Sequence, residues 1–217
     1  MTIEIFAHPF SSYCQKAFIA LYENDTPFTL RMLEEKENAE ELARIWSHNR
    51  FPVLREGERV VFETTSIIEY LHVHHPGPVK LIPDDADAAV EVRMMDRFFD
   101  NYVMTPQGSI VFNSIRAEGD RDPIGDDRAR AMLDTSYAWL DERMKDREWA
   151  AGDSFSMADC AAAPSLFYAD WTHEIGAQFA NVRAYRARLN ARPSFARAID
   201  GGRPFRSYFP LGAPDRD

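Results

Sequence analysis

Apolar and polar residues alternate from the start of the chain. Ile3 and Ile5 alternate with Thr2 and Glu4, the period-two pattern of a strand with one buried face, so residues 2–7 are predicted as a first strand. His8-Pro9 breaks it, and Ser11-Ser12 supplies a helix start. Ala17 and Leu21, with Ile19 and Ala20, then form a stripe that predicts a helix over 12–24, stopped by Asn24-Asp25. Residues 27–32 predict a second strand with a proline at its edge, and 36–46 a second helix with Leu42, Ile45 and Trp46 on one side. Short strands at 53–55 and 59–62 flank Glu56-Gly57 as a hairpin. Residues 64–74 predict a third helix that turns Ile67, Ile68 and Leu71 inward. The order β-α-β-α-β-β-α describes a small α/β unit.

The pattern changes after residue 76. Pro76-Gly77-Pro78 and Pro83 punctuate a stretch without periodicity, read as a linker over 77–86. Beyond it only helical spacing appears. Met94, Met95, Phe98, Phe99 and Tyr102 form one stripe, and Ala129, Met132, Leu133, Ser136 and Leu140 another, separated by a loop at 117–125. Further helices are expected near 156–171, 181–191 and 193–200, followed by a Pro-, Gly- and aromatic-rich tail laid over a neighbouring surface. The expected organisation is an α/β domain at 1–76 followed by an all-helical domain at 87–217.

Composition narrows the function classes. The chain has 217 residues, 45% of them hydrophobic, enough for a substantial core. Its net charge of −10 lacks the basic footprint that nucleic acid or an anionic membrane requires. No run of about 18 apolar residues and no signal-peptide pattern occurs. Two distant cysteines, Cys14 and Cys160, form neither a zinc pattern nor a Cys-x-x-Cys pair. Cytoplasm is the expected compartment.

Four segments carry candidate chemistry. Phe10-Ser11-Ser12-Tyr13-Cys14 places hydroxyls where a strand feeds a helix, beside free N–H groups and partial positive charge; a plain N-cap serine is the competing reading. Arg50-Phe51-Pro52-Val53-Leu54 sets a proline at the entry of a strand. Glu63-Thr64-Thr65-Ser66 opens a helix whose N-terminus suits a carboxylate, with Glu63 free to accept from an ammonium group; together they suit an amino-acid headgroup. Ser156-Met157-Ala158-Asp159 reads as a structural capping box with Asp in place of Glu. His72, His74 and His75 match no familiar zinc spacing, so no metal is expected.

These segments, in this order, resemble the glutathione transferase superfamily over nearly the whole chain, in its cytosolic, serine-type bacterial branch. The resemblance implies a thioredoxin-like N-terminal domain followed by an all-α helical domain, and glutathione as co-substrate. It points to Ser11, with Ser12 second, as the catalytic hydroxyl. Family members read Lys-Val-Pro-x-Leu where this chain has Arg50-Phe51-Pro52-Val53-Leu54, which implies a cis Pro52 and a Phe51 main chain that pairs with the cysteinyl part of glutathione. Glu63 and Thr64 are implied for the γ-glutamyl end, and Lys36 or Arg50 for the glycine carboxylate. Tyr102, Met104, Phe167, Tyr168 and Trp171 are candidates for a hydrophobic electrophile pocket, against the alternative that each is ordinary helical core. The resemblance further implies a homodimer. Conjugation, isomerisation, dehalogenation, peroxide reduction and a non-catalytic ligand-binding or interaction role all remain open at this level. Ser11-Ser12-Tyr13-Cys14 also resembles a glutaredoxin Cys-Pro-Tyr-Cys without its first cysteine, which argues against dithiol chemistry.

Overall fold

The computed structural model describes residues 2–217; Met1, the first residue of the expected N-terminal domain, lies outside the described residues. Strand β1 (Ile3–Ala7) leads to α1 (Ser12–Glu23), β2 (Phe28–Met32) and α2 (Lys36–Ile45). The hairpin β3 (Val53–Glu56) and β4 (Arg59–Val61) and helix α3 (Thr64–His74) complete this half. The sheet order is β2-β1-β3-β4. β1 runs parallel to β2, with Ile5 opposite Leu30, and antiparallel to β3, with Ile5 also opposite Leu54. At the hairpin turn Gly57 takes a positive φ of 62°, a conformation in which only glycine avoids a Cβ penalty. The result is the thioredoxin-like arrangement that the sequence resemblance implied.

α1 and α3 cover one face of the sheet, and their apolar stripes join the main core. α2 covers the other face over a smaller cluster of Phe6, Leu42 and Val53. This helix buries little, so polar ties supplement its packing. Arg31 bridges Glu4 (2.6 Å) and Glu41, and Arg55 bridges the same two carboxylates (2.7 and 2.6 Å). Both guanidinium groups lie over the Phe6 ring at 5.0–5.1 Å.

The linker is pinned to the fold. Asn24 brackets the backbone of Val79, accepting from its N–H (2.8 Å) and donating to its C=O (3.0 Å). Leu81 and Ile82 are buried, and the C=O of Leu81 accepts from the N–H of Met157. The helical half comprises α4 (Ala86–Phe98), a π-helical turn (Phe99–Met104), α5 (Thr105–Ser114), α6 (Pro123–Arg143), α7 (Met157–Thr172), α8 (Ala180–Asn190) and α9 (Pro193–Gly202). Every residue of α7 is buried, as expected of a helix that is apolar all round. Asp159 closes the predicted capping box at its start. The π-turn breaks the regular stripe expected around residue 98. Met95 and Phe99 enter the core, whereas Met94, on α4 ahead of the π-turn, and Tyr102, within it, face outward; for Tyr102 the reason is that one wide turn rotates the helix face that follows it. The tail forms a 3-10 turn over Arg203–Tyr208 and buries Phe209 against Tyr168 and Trp171.

Candidate functional site

Ser11 is the N-cap of α1, with extended backbone angles, and its Oγ accepts from the N–H of Cys14 at 3.4 Å. This is a long bond that uses an acceptor lone pair, and the hydroxyl also faces the Cys14 thiol. Ser12 is the first helical residue. The turn that presents Ser11 is held from several sides. The N–H of Ser11 donates to the C=O of His8 (3.0 Å), and His8 Nδ1 accepts from the N–H of Phe10 (3.1 Å). Gln15 Nε2 donates to the C=O of Pro9 (3.0 Å), while the hydroxyl of Tyr168 donates to the C=O of Phe10 (2.8 Å). Gly202 packs so closely that a Cβ there would lie 3.2 Å from the carbonyl oxygen of Pro9.

Neighbouring ionisable groups are poor nucleophiles. Cys14 is fully buried, and burial pushes its thiol up to about 12 against the opposing hydrogen bonds with Ser11 and His8. Burial, followed by the Asp100 carboxylate, pushes the Tyr13 phenol up to about 12 as well. Both stay protonated near neutrality.

Because Phe6 pairs with Val53, the Phe51-Pro52 segment lies beside the exit of β1, where the Ser11 turn begins. The Phe51–Pro52 peptide bond is cis, as implied by resemblance, and Phe51 is 40% exposed. Glu63 is exposed and sits ahead of α3 in a left-handed conformation, φ 64°, with no side-chain cap on the helix. The first N–H groups of α3 therefore have no capping side chain to satisfy them, the condition under which a helix end takes up a carboxylate. Thr64 is buried, and its hydroxyl donates to the C=O of Tyr13 (3.4 Å). The structure thus sets the first turn of α1, at Tyr13, against Thr64 at the N-terminus of α3. Lys36 and Arg50 are exposed; Lys36 pairs only with Glu40, at 3.6 Å, and no described hydrogen bond or ion pair ties either residue to Ser11 or Thr64.

Three of the five pocket candidates converge. Phe167, Tyr168 and Trp171 form a buried aromatic cluster with Phe10 and Phe209, with Phe167 and Trp171 at 4.6 Å and Phe10 and Tyr168 at 5.5 Å. Met104 is buried in the π-turn. Tyr102 is not brought to this cluster: it is 50% exposed and packs with Phe98, which in turn meets Trp139 of α6. The helical stripe places it inward on regular 3.6-residue geometry, and the π-turn rotates it out. A separate groove of about 470 Å³, lined by Phe18, Tyr22, Phe28 and Arg197 among others, contains none of the predicted residues.

Sequence reasoning expected the tail to lie over a neighbouring surface without saying which, and missed the packing of Phe10 and a buried ion cluster. His8 stacks edge-on with Phe205 at 4.6 Å, and Tyr208 donates to Glu34 at 2.8 Å, so the tail borders the turn before Ser11. Lys16, Asp96, Arg97 and Asp100 meet between the two halves. The available signal was a lysine on the inward face of α1, between Gln15 and Ala17.

Comparison with known proteins agrees with this geometry. The glutathione S-transferase N-terminal domain family matches residues 5–79, and the glutathione S-transferase C-terminal domain family matches residues 125–188. FtsZ-localized protein A of Caulobacter vibrioides is 26% identical over 209 residues, 90% of each chain. A probable maleylacetoacetate isomerase of Vibrio cholerae is 24% identical over 213 residues, 94% of this chain and 98% of its own. A glutathione S-transferase of Methylobacterium radiotolerans, solved in complex with glutathione sulfonate, superposes with a TM-score of 0.80 at 27% identity, covering 92% of this chain and 95% of its own.

Proposed function

Since the chain belongs to the glutathione S-transferase superfamily, we propose that it activates the thiol of glutathione at Ser11 for attack on a small hydrophobic electrophile. The observation that carries this reading is the Ser11 hydroxyl at the mouth of α1, whose first turn meets the uncapped N-terminus of α3 through the Thr64–Tyr13 bond. Glutathione must react as thiolate, and a cysteine-like thiol has a pKa of about 8.5. Lowering it by two units requires about 2.7 kcal/mol. A hydrogen bond to a charged acceptor supplies roughly 1.5–3 kcal/mol, and a helix N-terminus adds about 0.3–1 kcal/mol. One serine and one helix therefore suffice, and Ser11 need not act as a nucleophile. In this reading Ser12 is the second candidate for that hydroxyl. The Phe51 main chain beside Pro52 pairs with the cysteinyl unit, Glu63 and Thr64 hold the γ-glutamyl end, and Lys36 or Arg50 meets the glycine carboxylate.

The electrophile would lie against Phe10, Met104, Phe167, Tyr168 and Trp171. The indole N–H of Trp171 is buried with no partner among the described residues, which favours an electrophile carrying an oxygen acceptor. The isomerase relative supports a second outcome at the same site: the thiolate adds to a conjugated double bond, rotation follows, and the thiolate leaves. The FtsZ-localized relative supports a non-catalytic interaction role instead.

Exposed Met94, Tyr102 and Trp139 on the adjoining α4, π-turn and α6 favour a homodimer; light scattering that returned a single-chain mass at micromolar concentration would exclude it. No described helix is long and apolar enough to cross a membrane, and both cysteines are buried and free, in keeping with a reducing, cytoplasmic setting. The decisive experiment is calorimetry with glutathione, followed by turnover of a chlorinated dinitrobenzene by wild type and Ser11→Ala. Binding with a 10- to 100-fold rate loss in the variant, about one to two units of thiol pKa, supports transfer chemistry. Absence of glutathione binding rejects it in favour of the interaction role.

A further inference from the structure

A buried ammonium group ties together the two helices that carry the proposed glutathione site. Lys16 lies one turn beyond Ser11 on α1 and is 1% exposed. Its Nζ reaches Asp96 Oδ1 at 2.6 Å, Asp100 Oδ2 at 2.8 Å and Thr65 Oγ1 at 3.2 Å. An ammonium group has three N–H donors; two are hydrogen-bonded to Asp100 and Thr65, and the contact with Asp96 Oδ1 is an ion pair without hydrogen-bond geometry. The three partners come from three different elements: α4, the π-turn and α3. Thr65 passes the connection on, since its hydroxyl donates to Asp96 Oδ2 at 2.8 Å. Arg97 closes the outer side on Asp96, Asp100 and Thr65, so two cations offset two carboxylates. The carboxylate of Asp100 faces α1 from within the π-turn, where Thr105 also caps the Asp100 carbonyl at 2.8 Å.

Burying such a cluster is costly compared with an apolar plug of the same volume; what it adds is direction. Among the described residues, the only other polar tie between the two helix starts is the long Thr64–Tyr13 bond of 3.4 Å. We propose that Lys16 is a positioning residue for glutathione, acting through Thr65, Asp96 and Asp100 to fix the N-terminus of α1 against that of α3. The proposal rests on the reading that Ser11 holds the thiol of the central cysteinyl unit and Thr64 the γ-glutamyl end of the tripeptide. On this view the helical domain does more than wall the electrophile pocket: through Asp96 and Asp100 it sets the distance between the thiol and γ-glutamyl subsites.

The test uses the full-length protein. Thr65→Val removes the tie to α3 but leaves Lys16 paired with both aspartates; Thr65→Ser restores the hydroxyl; Lys16→Met with Asp100→Asn removes one charge of each sign. For each, glutathione affinity is measured by calorimetry, KM and kcat with the chlorinated dinitrobenzene, and the pH profile of kcat/KM. Thr65→Val is expected to weaken glutathione binding about 3- to 10-fold, the size of one hydrogen bond, and to move the rising limb of the profile to higher pH. Thr65→Ser is expected to return both to wild type. The Lys16→Met/Asp100→Asn pair is expected to show the larger loss. Wild-type affinity and pH profile in Thr65→Val overturn the proposal, as does a Thr65→Ser variant no better than Thr65→Val; both readouts hold even if the Lys16 double variant does not fold. If Ser11→Ala and Thr64→Ala leave glutathione binding unchanged, the site itself is misplaced and the positioning role falls with it. That outcome is distinct from an intact site insensitive to Thr65.

Discussion

Replacing Asp159 by alanine should come close to unfolding the protein. The side chain is fully buried at the start of α7. Its carboxylate accepts from the N–H of Ala150 and of Ser156 (2.9 Å each), from the Ser156 hydroxyl (3.1 Å) and from the Tyr185 hydroxyl. Alanine leaves the two backbone N–H groups without acceptors, and neither can be redirected without moving the chain. At about 1–3 kcal/mol for each stranded buried donor, they cost roughly 2–6 kcal/mol. The Tyr185 hydroxyl, also fully buried, adds about 1–3 kcal/mol on the same basis. The sum, roughly 3–9 kcal/mol, is comparable with the whole stability of a typical domain, about 5–15 kcal/mol. At about 2–4 °C per kcal/mol for a chain of this size, the melting temperature should fall by more than 6 °C. The assay is urea unfolding followed by circular dichroism, in which the midpoint should drop while the m-value stays constant. Asparagine should recover only part of the loss, because its NH₂ group would face donors. An alanine variant within about 1 kcal/mol of wild type would refute the reasoning: it would mean that the four donors find other partners and that the capping box does not hold the 150–156 segment to α7.

Three further outcomes follow from the geometry. Glu63→Gly should melt about 1–4 °C above Glu63→Ala, since only glycine relieves the left-handed backbone at φ 64°, and both should bind glutathione more weakly than wild type; equal melting temperatures would remove the strain. Cys14, with its thiol pushed up to about 12, should resist iodoacetamide at pH 8 until the protein unfolds, and stoichiometric labelling of the native protein would contradict its burial. For the arginine–glutamate ring over Phe6, hydrogen bonds from Arg55 hold Glu41 below the ordinary glutamate value of 4.5, and at Glu4 the two arginines outweigh the opposing effect of burial. Lower carboxylate values in the folded state mean that this stabilisation is present above about pH 4.5 and is lost as pH falls further. Urea midpoints should therefore decline through that acid range, and less steeply in Glu41→Gln.

Whereas α5 was not separated out and α6 begins at Pro123, inside the expected 117–125 loop, the β-α-β-α-β-β-α order of the first half, the hairpin at Gly57 and the capping box at Ser156–Asp159 were legible in the chain itself. Each is a local matter: period-two and period-3.6 patterning, turn residues and caps act over a few positions. Ser11, Pro52, Glu63 and Thr64 could be singled out for the same reason, as helix starts and a strand entry. What lay beyond the sequence depends on elements distant along the chain. The π-turn at Phe99–Met104 adds a residue to one turn without a compositional mark, and so carries Tyr102 outward while Asp100 meets Lys16. The meeting of Lys16 with Asp96, of Phe10 with Tyr168, and of the tail with His8 joins residues up to about two hundred positions apart. Local patterning decided which residues could cap, turn or pack. Only the docking of the helical half onto α1 and α3 decided which of them meet, because the energy of those contacts exists only once both surfaces are formed.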